Sequence, residues 1–130
     1  MSNKTTSVFN VLQKKGYQPQ IKGKDIVFQV KGYSFIFQYY EGPLYVIMLP
    51  NIYELGDTTK GILDVLNRVN KESLVAKIVV HQNSVHVAAQ AVYPDVKIFE
   101  VMLENMIEAC INCAFNFHKY INKQSNNKVH

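Results

Sequence analysis

The sequence contains few of the residues on which well-known catalytic and metal-binding motifs depend. Its 130 residues include two cysteines, no tryptophan and a single arginine, Arg68. Two cysteines are too few for a disulfide framework, or for a zinc site without ligands of another type. There is no glycine-rich phosphate loop, nucleophile elbow or dinucleotide fingerprint. We therefore expect a binding protein that is not an enzyme and needs no cofactor.

The chain also has no long apolar run. No segment reaches the ~18 apolar residues of a membrane-spanning helix, and the first ten residues contain no signal-peptide core. We expect a cytoplasmic protein with no membrane association. The composition, 48% hydrophobic and 18% charged, is that of a globular protein. We predict one domain over 1–130, ordered over about 5–121, with a polar frayed tail at 122–130.

The net charge of +4 is unevenly distributed along the chain. Residues 1–31 carry six lysines and one aspartate, residues 32–108 are mainly acidic, and the remaining residues are basic again. A polarised surface orients encounters with partners, but lysines near helix ends and turns also serve ordinary solvation. We therefore do not expect nucleic acid to be the main partner.

Hydrophobic spacing and turn residues predict an α+β fold with the order α-β-β-β(-β)-α-β-β-α. The predicted elements are a helix (5–15), a short edge strand (17–21), three strands (25–30, 33–40 and 44–49), a helix from Asp57 or Thr58 to 71, two strands (75–81 and 85–92) and a last helix from Pro94 or Asp95 to 121.

The turns predict which side chains share a face of the sheet. Lys31-Gly32 fits a two-residue hairpin loop and 41–43 a three-residue loop, because glycine accepts positive φ. They place on one face an apolar set that must lie under helices: Ile26, Phe28, Val30, Tyr33, Phe35, Phe37, Tyr45, Ile47 and Leu49. We predict a single antiparallel sheet with helices on this face only.

The opposite face of the sheet is the main candidate for a functional surface. It carries an apolar strip edged by glutamines and Lys77, and the strip consists of Ile36, Tyr40, Leu44, Val46, Met48 and Val79. Exposed apolar patches with polar rims often mark association sites. The ordinary alternative is that a loop or the N-terminal strand covers the strip. We interpret it as a surface for a partner protein or for a second copy of the chain.

Cys110 and Cys113 have the C-x-x-C spacing of redox dithiols and zinc sites, and His118 follows them. Around them, apolar residues recur at steps of four and three, which is typical of a helix that faces the core: Phe99, Leu103, Met106, Cys110, Cys113, Phe117 and Tyr120. A redox dithiol has its first cysteine near a helix N-terminus, where the dipole lowers the thiol pKa. More than a dozen helical residues precede Cys110, so we interpret both thiols as core and predict no metal.

Three further sets of polar or aromatic residues are candidate sites. If Asn83-Ser84 is a turn, His81 and His86 lie opposite each other and could hold a metal with a third ligand, although two solvent-facing histidines are the commoner arrangement. Five tyrosines could stack on small ligands or nucleic-acid bases: Tyr33, Tyr39, Tyr40, Tyr45 and Tyr53. A row of three glutamates in the last helix is typical of a solvated face: Glu100, Glu104 and Glu108.

The element order and the stretch LNRVNKESLVAKIVVHQNSVHVAAQAVY resemble the YbjN family, bacterial domains named as sensory transduction regulators. The resemblance extends over residues 5–121 and includes Gly16-Tyr17 after the first helix, Asn67, Asn70 and the hairpin that follows them. It implies the fold of class I type III secretion chaperones. It also implies a non-enzymatic, often homodimeric domain that presents hydrophobic surface to another polypeptide, with no catalytic residues to carry over.

Overall fold

The computed structural model describes residues 3–56 and 61–127, with side chains as far as residue 123. In this part of the chain the elements are α1 (Asn3–Lys14), β1 (Gln20–Lys22), β2 (Asp25–Val30), β3 (Tyr33–Tyr40), β4 (Leu44–Glu54), α2 (Ile62–Glu72), β5 (Ala76–His81), β6 (Ser84–Val92) and α3 (Val96–Asn127). None of the described helices is apolar over a stretch long enough to cross a bilayer.

The strands form one antiparallel sheet with the order β1-β2-β3-β4-β6-β5. α1 contacts β2, α2 contacts β5, and α3 contacts β4, β5 and β6. The predicted α+β architecture, a single antiparallel sheet with its helices on one face, is confirmed. We call the helix-covered side the core face and the other side the outer face.

The β2–β3 and β3–β4 hairpins have the predicted registers. Lys31 and Gly32 both adopt positive φ, 52° and 82°, which is the geometry of a tight two-residue hairpin loop. Val30 therefore pairs with Tyr33, and the next core-face pairs follow as Phe28–Phe35 and Ile26–Phe37. The loop at 41–43 then sets Phe37 opposite Ile47. All of these core-face residues except Tyr33 are buried.

β4 extends beyond the predicted strand end at residue 49. Its pairing with β6 shifts between Leu49 and Tyr53, and Asn51 at this irregularity has a φ of 54°. Pro50 is tolerated because the ladder is interrupted there, so its missing N–H leaves no partner unpaired. The N–H of Asn51 donates to Nδ1 of His86 at 3.1 Å. This hydrogen bond joins residues 35 positions apart, so no local sequence pattern predicts the bulge.

The condition that would have paired the two histidines, a turn at Asn83-Ser84, is not met. The loop residues are Gln82 and Asn83, with φ of 49° and 65°, and His81 pairs with Ser84. This two-residue loop places both loop residues in the left-handed region, which asparagine accepts more readily than serine. Other bounds differ less: β1 begins at residue 20, and α3 continues past the predicted end at residue 121. The predicted caps Asp57 and Thr58 lie outside the described residues.

An aromatic cluster forms the centre of the core. Tyr45 stacks on Phe99 with ring centroids 5.0 Å apart, and Phe37, Tyr39 and Tyr93 surround the pair. The Tyr45 hydroxyl is fully buried and has no hydrogen-bond partner among the described residues. Burial raises the pKa of this phenol, so it stays neutral.

Replacing Tyr45 with phenylalanine is expected to leave stability unchanged or to raise it by up to ~1 kcal/mol. The substitution keeps the ring contacts and removes a polar atom whose desolvation no hydrogen bond offsets. Urea unfolding of the parent and of Tyr45→Phe measures the difference. A loss of more than ~1 kcal/mol would reveal a partner for the hydroxyl, such as an internal water.

Candidate functional site

The outer face carries its apolar side chains in continuous cross-strand rows. One row runs Val27, Ile36, Met48 and Ala88 across β2, β3, β4 and β6. A second row places Val46 between Gln38 and Gln90, and a third joins Tyr40, Leu44 and Val92. Strand pairing therefore brings five of the six predicted strip residues together on the neighbouring strands β3 and β4. The sixth, Val79, lies on β5 opposite His86.

The strip residues differ in how far they are exposed. Tyr40 and Val79 are exposed at 51% and 44%, Ile36, Leu44 and Met48 are half-buried, and Val46 is 5% exposed. Val46 is shielded although no described helix lies over it, because Gln38 and Gln90 flank it in its own row. The centre of the face is thus an apolar floor within a polar rim.

The rim of the outer face is polar and almost free of charge. Gln38 donates to Oδ2 of Asp25 at 3.3 Å, and the Tyr40 hydroxyl donates to Oε1 of Gln38 at 3.2 Å. No Asp, Glu, Lys or Arg lies on this face within β3, residues 44–50 of β4 or residues 86–92 of β6. The chain has 24 Lys, Arg, Asp and Glu residues, so an uncharged apolar surface of this extent is unusual in it. Such a surface is suited to packing against another uncharged, apolar protein surface.

The two cysteines lie in the core, as the spacing predicted. All seven members of the α3 series from Phe99 to Tyr120 are buried, including Cys110 and Cys113. Burial raises the pKa of Cys110 to about 12. His118 is exposed and its ring contacts Phe117 edge-on at 5.6 Å, so it does not join the thiols.

The histidine pair is not assembled as the predicted turn required. With the loop at 82–83, His81 pairs with Ser84 and His86 pairs with Val79. The Nδ1 atom of His86 accepts the Asn51 hydrogen bond, so the role of this ring is to satisfy the backbone of the β4 bulge. No cluster of three His, Cys, Asp or Glu side chains suited to a metal ion occurs in the described part of the chain.

The five tyrosines proposed as a stacking surface are dispersed. Tyr45 is buried and Tyr39 meets it edge-on at 5.2 Å on the core face. Tyr53 contacts the core residue Phe117. Tyr33 and Tyr40 lie at opposite ends of β3, on opposite faces. These rings do not form one stacking platform.

The glutamate row of α3 is not simply solvated. Glu104 pairs with Lys15 at 3.5 Å, and Glu108 pairs with Lys31. These ion pairs border an open cleft of about 350 Å³ whose floor is formed by Tyr17, Val30 and Ile107. Sequence reasoning missed the cleft, since its walls come from segments more than 70 residues apart. Because its charges are already paired, the cleft is a weaker candidate site than the outer face.

Comparison with known proteins shows a similarity of fold. No protein-family model matches the sequence, and no curated protein is significantly similar to it. Among solved structures, the chain is similar to the crystal structure of YbjN from E. coli, described as a proposed transcription regulator. The TM-score is 0.64 with 11% identity, over 92% of each chain. At this identity the similarity shows a shared, YbjN-like fold, and the described role is that of the E. coli protein.

Proposed function

We propose that this chain is a non-enzymatic protein-binding module whose outer sheet face associates with apolar polypeptide surface, and that its first partner is a second copy of itself. The observation that carries the proposal is the uncharged apolar floor of Ile36, Val46 and Met48, on a face over which no described helix packs. Helices cover the core face, so the outer face is the side of the sheet that is left for association with another polypeptide.

A second copy suits this face on chemical grounds. The rim glutamines Gln38 and Gln90 each carry donors and acceptors, so they can satisfy the same groups of a copy related by a two-fold axis. The absence of charge along β3, residues 44–50 of β4 and residues 86–92 of β6 removes like-charge repulsion between copies, although each chain has a net charge of +4. A charged partner would gain nothing from this surface.

The area of the outer face determines how tightly two copies are expected to bind. Four strands ~4.8 Å apart, over six or seven residues at ~3.3 Å each, give a footprint of roughly 400 Å². A standard interface buries about 800 Å² of accessible surface on each partner. We therefore expect a weak dimer that dissociates on dilution, leaving the face available to other apolar polypeptides in a chaperone-like manner.

The test is the double substitution Ile36→Lys with Met48→Glu. These residues pair across β3 and β4, so the new opposite charges compensate each other within one chain. In the dimer the same charges would be desolvated, which is costly. By sedimentation equilibrium, the parent mass should rise with concentration from 14.9 kDa toward twice that value, whereas the variant should stay monomeric.

The matched control changes exposed apolar residues elsewhere. Val101 and Leu63, 73% and 70% exposed on α3 and α2, are replaced by lysine and glutamate. This control should dimerise like the parent. A parent that remains monomeric at every concentration, or a control that behaves like the face variant, would contradict the proposal.

A further inference from the structure

The two sides of the outer face differ in the bulk of their side chains. In each of its three cross-strand rows, a side chain of β4 lies between one from β3 and one from β6. The β3 and β6 members of these rows are Ile36 with Ala88, Gln38 with Gln90, and Tyr40 with Val92. In the two apolar pairs the larger side chain is on β3. The outer face is therefore raised along β3 and low along β6, and β4 is the line between them.

This difference in height determines how a second copy fits. Two copies that meet through the same face are related by a two-fold axis between them. When stacked sheets have their strands aligned, this axis runs either along the strands or across them. An axis across the strands places β3 on β3, so Ile36 meets Tyr40 while the small Ala88 and Val92 leave a gap. An axis along β4 places β3 on β6 of the other copy, so bulky side chains lie over small ones.

The charges at the two flanks of the face favour β4 over its neighbours as the strand on the axis. Asp25 on β2 belongs to the row of Gln38 and Val46, so an axis along β3 would place its carboxylate over Val46 of the other copy. Lys77 on β5 belongs to the row of Met48, and an axis along β6 would place the two over each other. The axis along β4 keeps both charged residues at the border of the contact, where they stay hydrated.

The β5 edge of the sheet is occupied by α2. The side chain of Asn70 accepts from the Ile78 N–H at 2.7 Å and donates to the Ile78 carbonyl at 3.2 Å. The Lys77 ammonium is bound by the carbonyls of Asn70 and Ser73, which turns its charge away from the outer face. A second copy therefore reaches this side of the sheet through the face and not through the edge.

We propose that two copies stack through their outer faces about a two-fold axis along β4, and that Ala88 of each copy receives Ile36 of the other. This arrangement rests on the self-association proposed above and adds its geometry. Tyr40 then lies over Val92 of the other copy, which covers side chains that are 51% and 63% exposed in the single chain. Ala88 is thereby a specificity-determining residue, because a larger or charged side chain there would keep Ile36 out.

The experiment mixes two variants that are each expected to be monomeric, Ile36→Lys and Ala88→Glu. Either substitution alone buries an unpaired charge in the contact, so each variant should stay near 14.9 kDa in sedimentation equilibrium. In an equimolar mixture, the new ammonium of one chain faces the new carboxylate of the other. The mass should then rise toward twice that value, and native mass spectrometry should show a dimer with one chain of each kind.

The matched control is a mixture of Ile36→Lys with Tyr40→Glu. With the axis along β4, the two new charges are separated by two strands and four residues, roughly 10 Å by 13 Å, so this mixture should stay monomeric. A heterodimer in this mixture and not in the first would mean that the axis runs across the strands, which would overturn the proposal.

A second test places no charge in the contact. Met48 lies on the proposed axis, so a short bifunctional thiol reagent should join two chains of Met48→Cys. Gln29→Cys is the control, because the axis holds the two copies of this residue four strands, about 19 Å, apart. Cys110 and Cys113 are buried, so they do not compete for the reagent.

The outcomes separate the geometry from the association itself. A parent that dimerises while the first mixture stays monomeric, with both variants folded, would overturn the axis along β4 and leave the self-association standing. If Ala88→Glu does not fold, Met48→Cys decides, and crosslinking no stronger than that of Gln29→Cys would have the same meaning. A parent that never dimerises would overturn both proposals.

Discussion

Replacing Phe99 with alanine is expected to destabilise the fold by about 3–5 kcal/mol, the largest effect of any single truncation considered. Phe99 is fully buried, and its ring lies 5.0 Å from Tyr45 and 5.4 Å from Phe37. Alanine would leave a cavity where α3 meets the centre of the sheet, and these rings cannot close it without leaving their strands. Domains of this size have about 5–15 kcal/mol of stability in total, so a large share is lost.

Urea unfolding followed by circular dichroism measures this loss as a lower midpoint at an unchanged slope. Val101→Ala is the matched control, because Val101 lies on the same helix and is 73% exposed. Its effect should stay within about 0.5 kcal/mol. A Phe99→Ala variant as stable as this control would mean that the aromatic cluster does not hold α3 on the sheet.

The thiol of Cys110 is expected to react with iodoacetamide at pH 8 about a thousandfold more slowly than an exposed thiol. Burial is the main cause that raises its pKa from 9.0 to about 12, and the thiolate is the reacting form. The raised pKa alone lowers the thiolate fraction at pH 8 by ~10³. Exclusion of the reagent from the core acts in the same direction, so a thousandfold slowing is the smallest effect expected.

Mass spectrometry after timed labelling, with and without guanidinium, tests this. Burial also raises the pKa of Cys113, but a hydrogen bond with Ser73 and the nearby Lys77 ammonium partly offset it. Cys113 should therefore be labelled before Cys110 in the native protein, and both should react rapidly in denaturant. Rapid native labelling of Cys110 would restore the redox interpretation of the C-x-x-C spacing.

Much of the sheet could be predicted because its turns are encoded locally. Lys31-Gly32 determines the β2–β3 register, and the alternation of the following strands then assigns each side chain to a face. The cysteines were placed correctly for a similar reason, since the 4–3 spacing of α3 requires only a helix and a core. The apolar composition of the outer face, including Ile36 and Met48, follows from the same alternation.

The features that were missed depend on contacts between distant segments. The β4 bulge is completed by His86, 35 residues from Asn51, and the edge of β5 is closed by a side chain from α2. The ion pairs of Glu104 and Glu108 join α3 to lysines of the first 31 residues. None of these has a local period or a turn signature.

The position of α3 after all six strands has a consequence for the order of folding. This helix supplies nine buried side chains to the core, between Phe99 and Tyr120, and packs against the sheet. During synthesis all six strands emerge before it, so the part of the core face that α3 covers stays exposed until residue 120 has left the ribosome. The hairpins can form early from local contacts, but the fold closes only after the last helix arrives. The nascent chain is thus most prone to aggregate in the interval when both faces of its sheet are exposed.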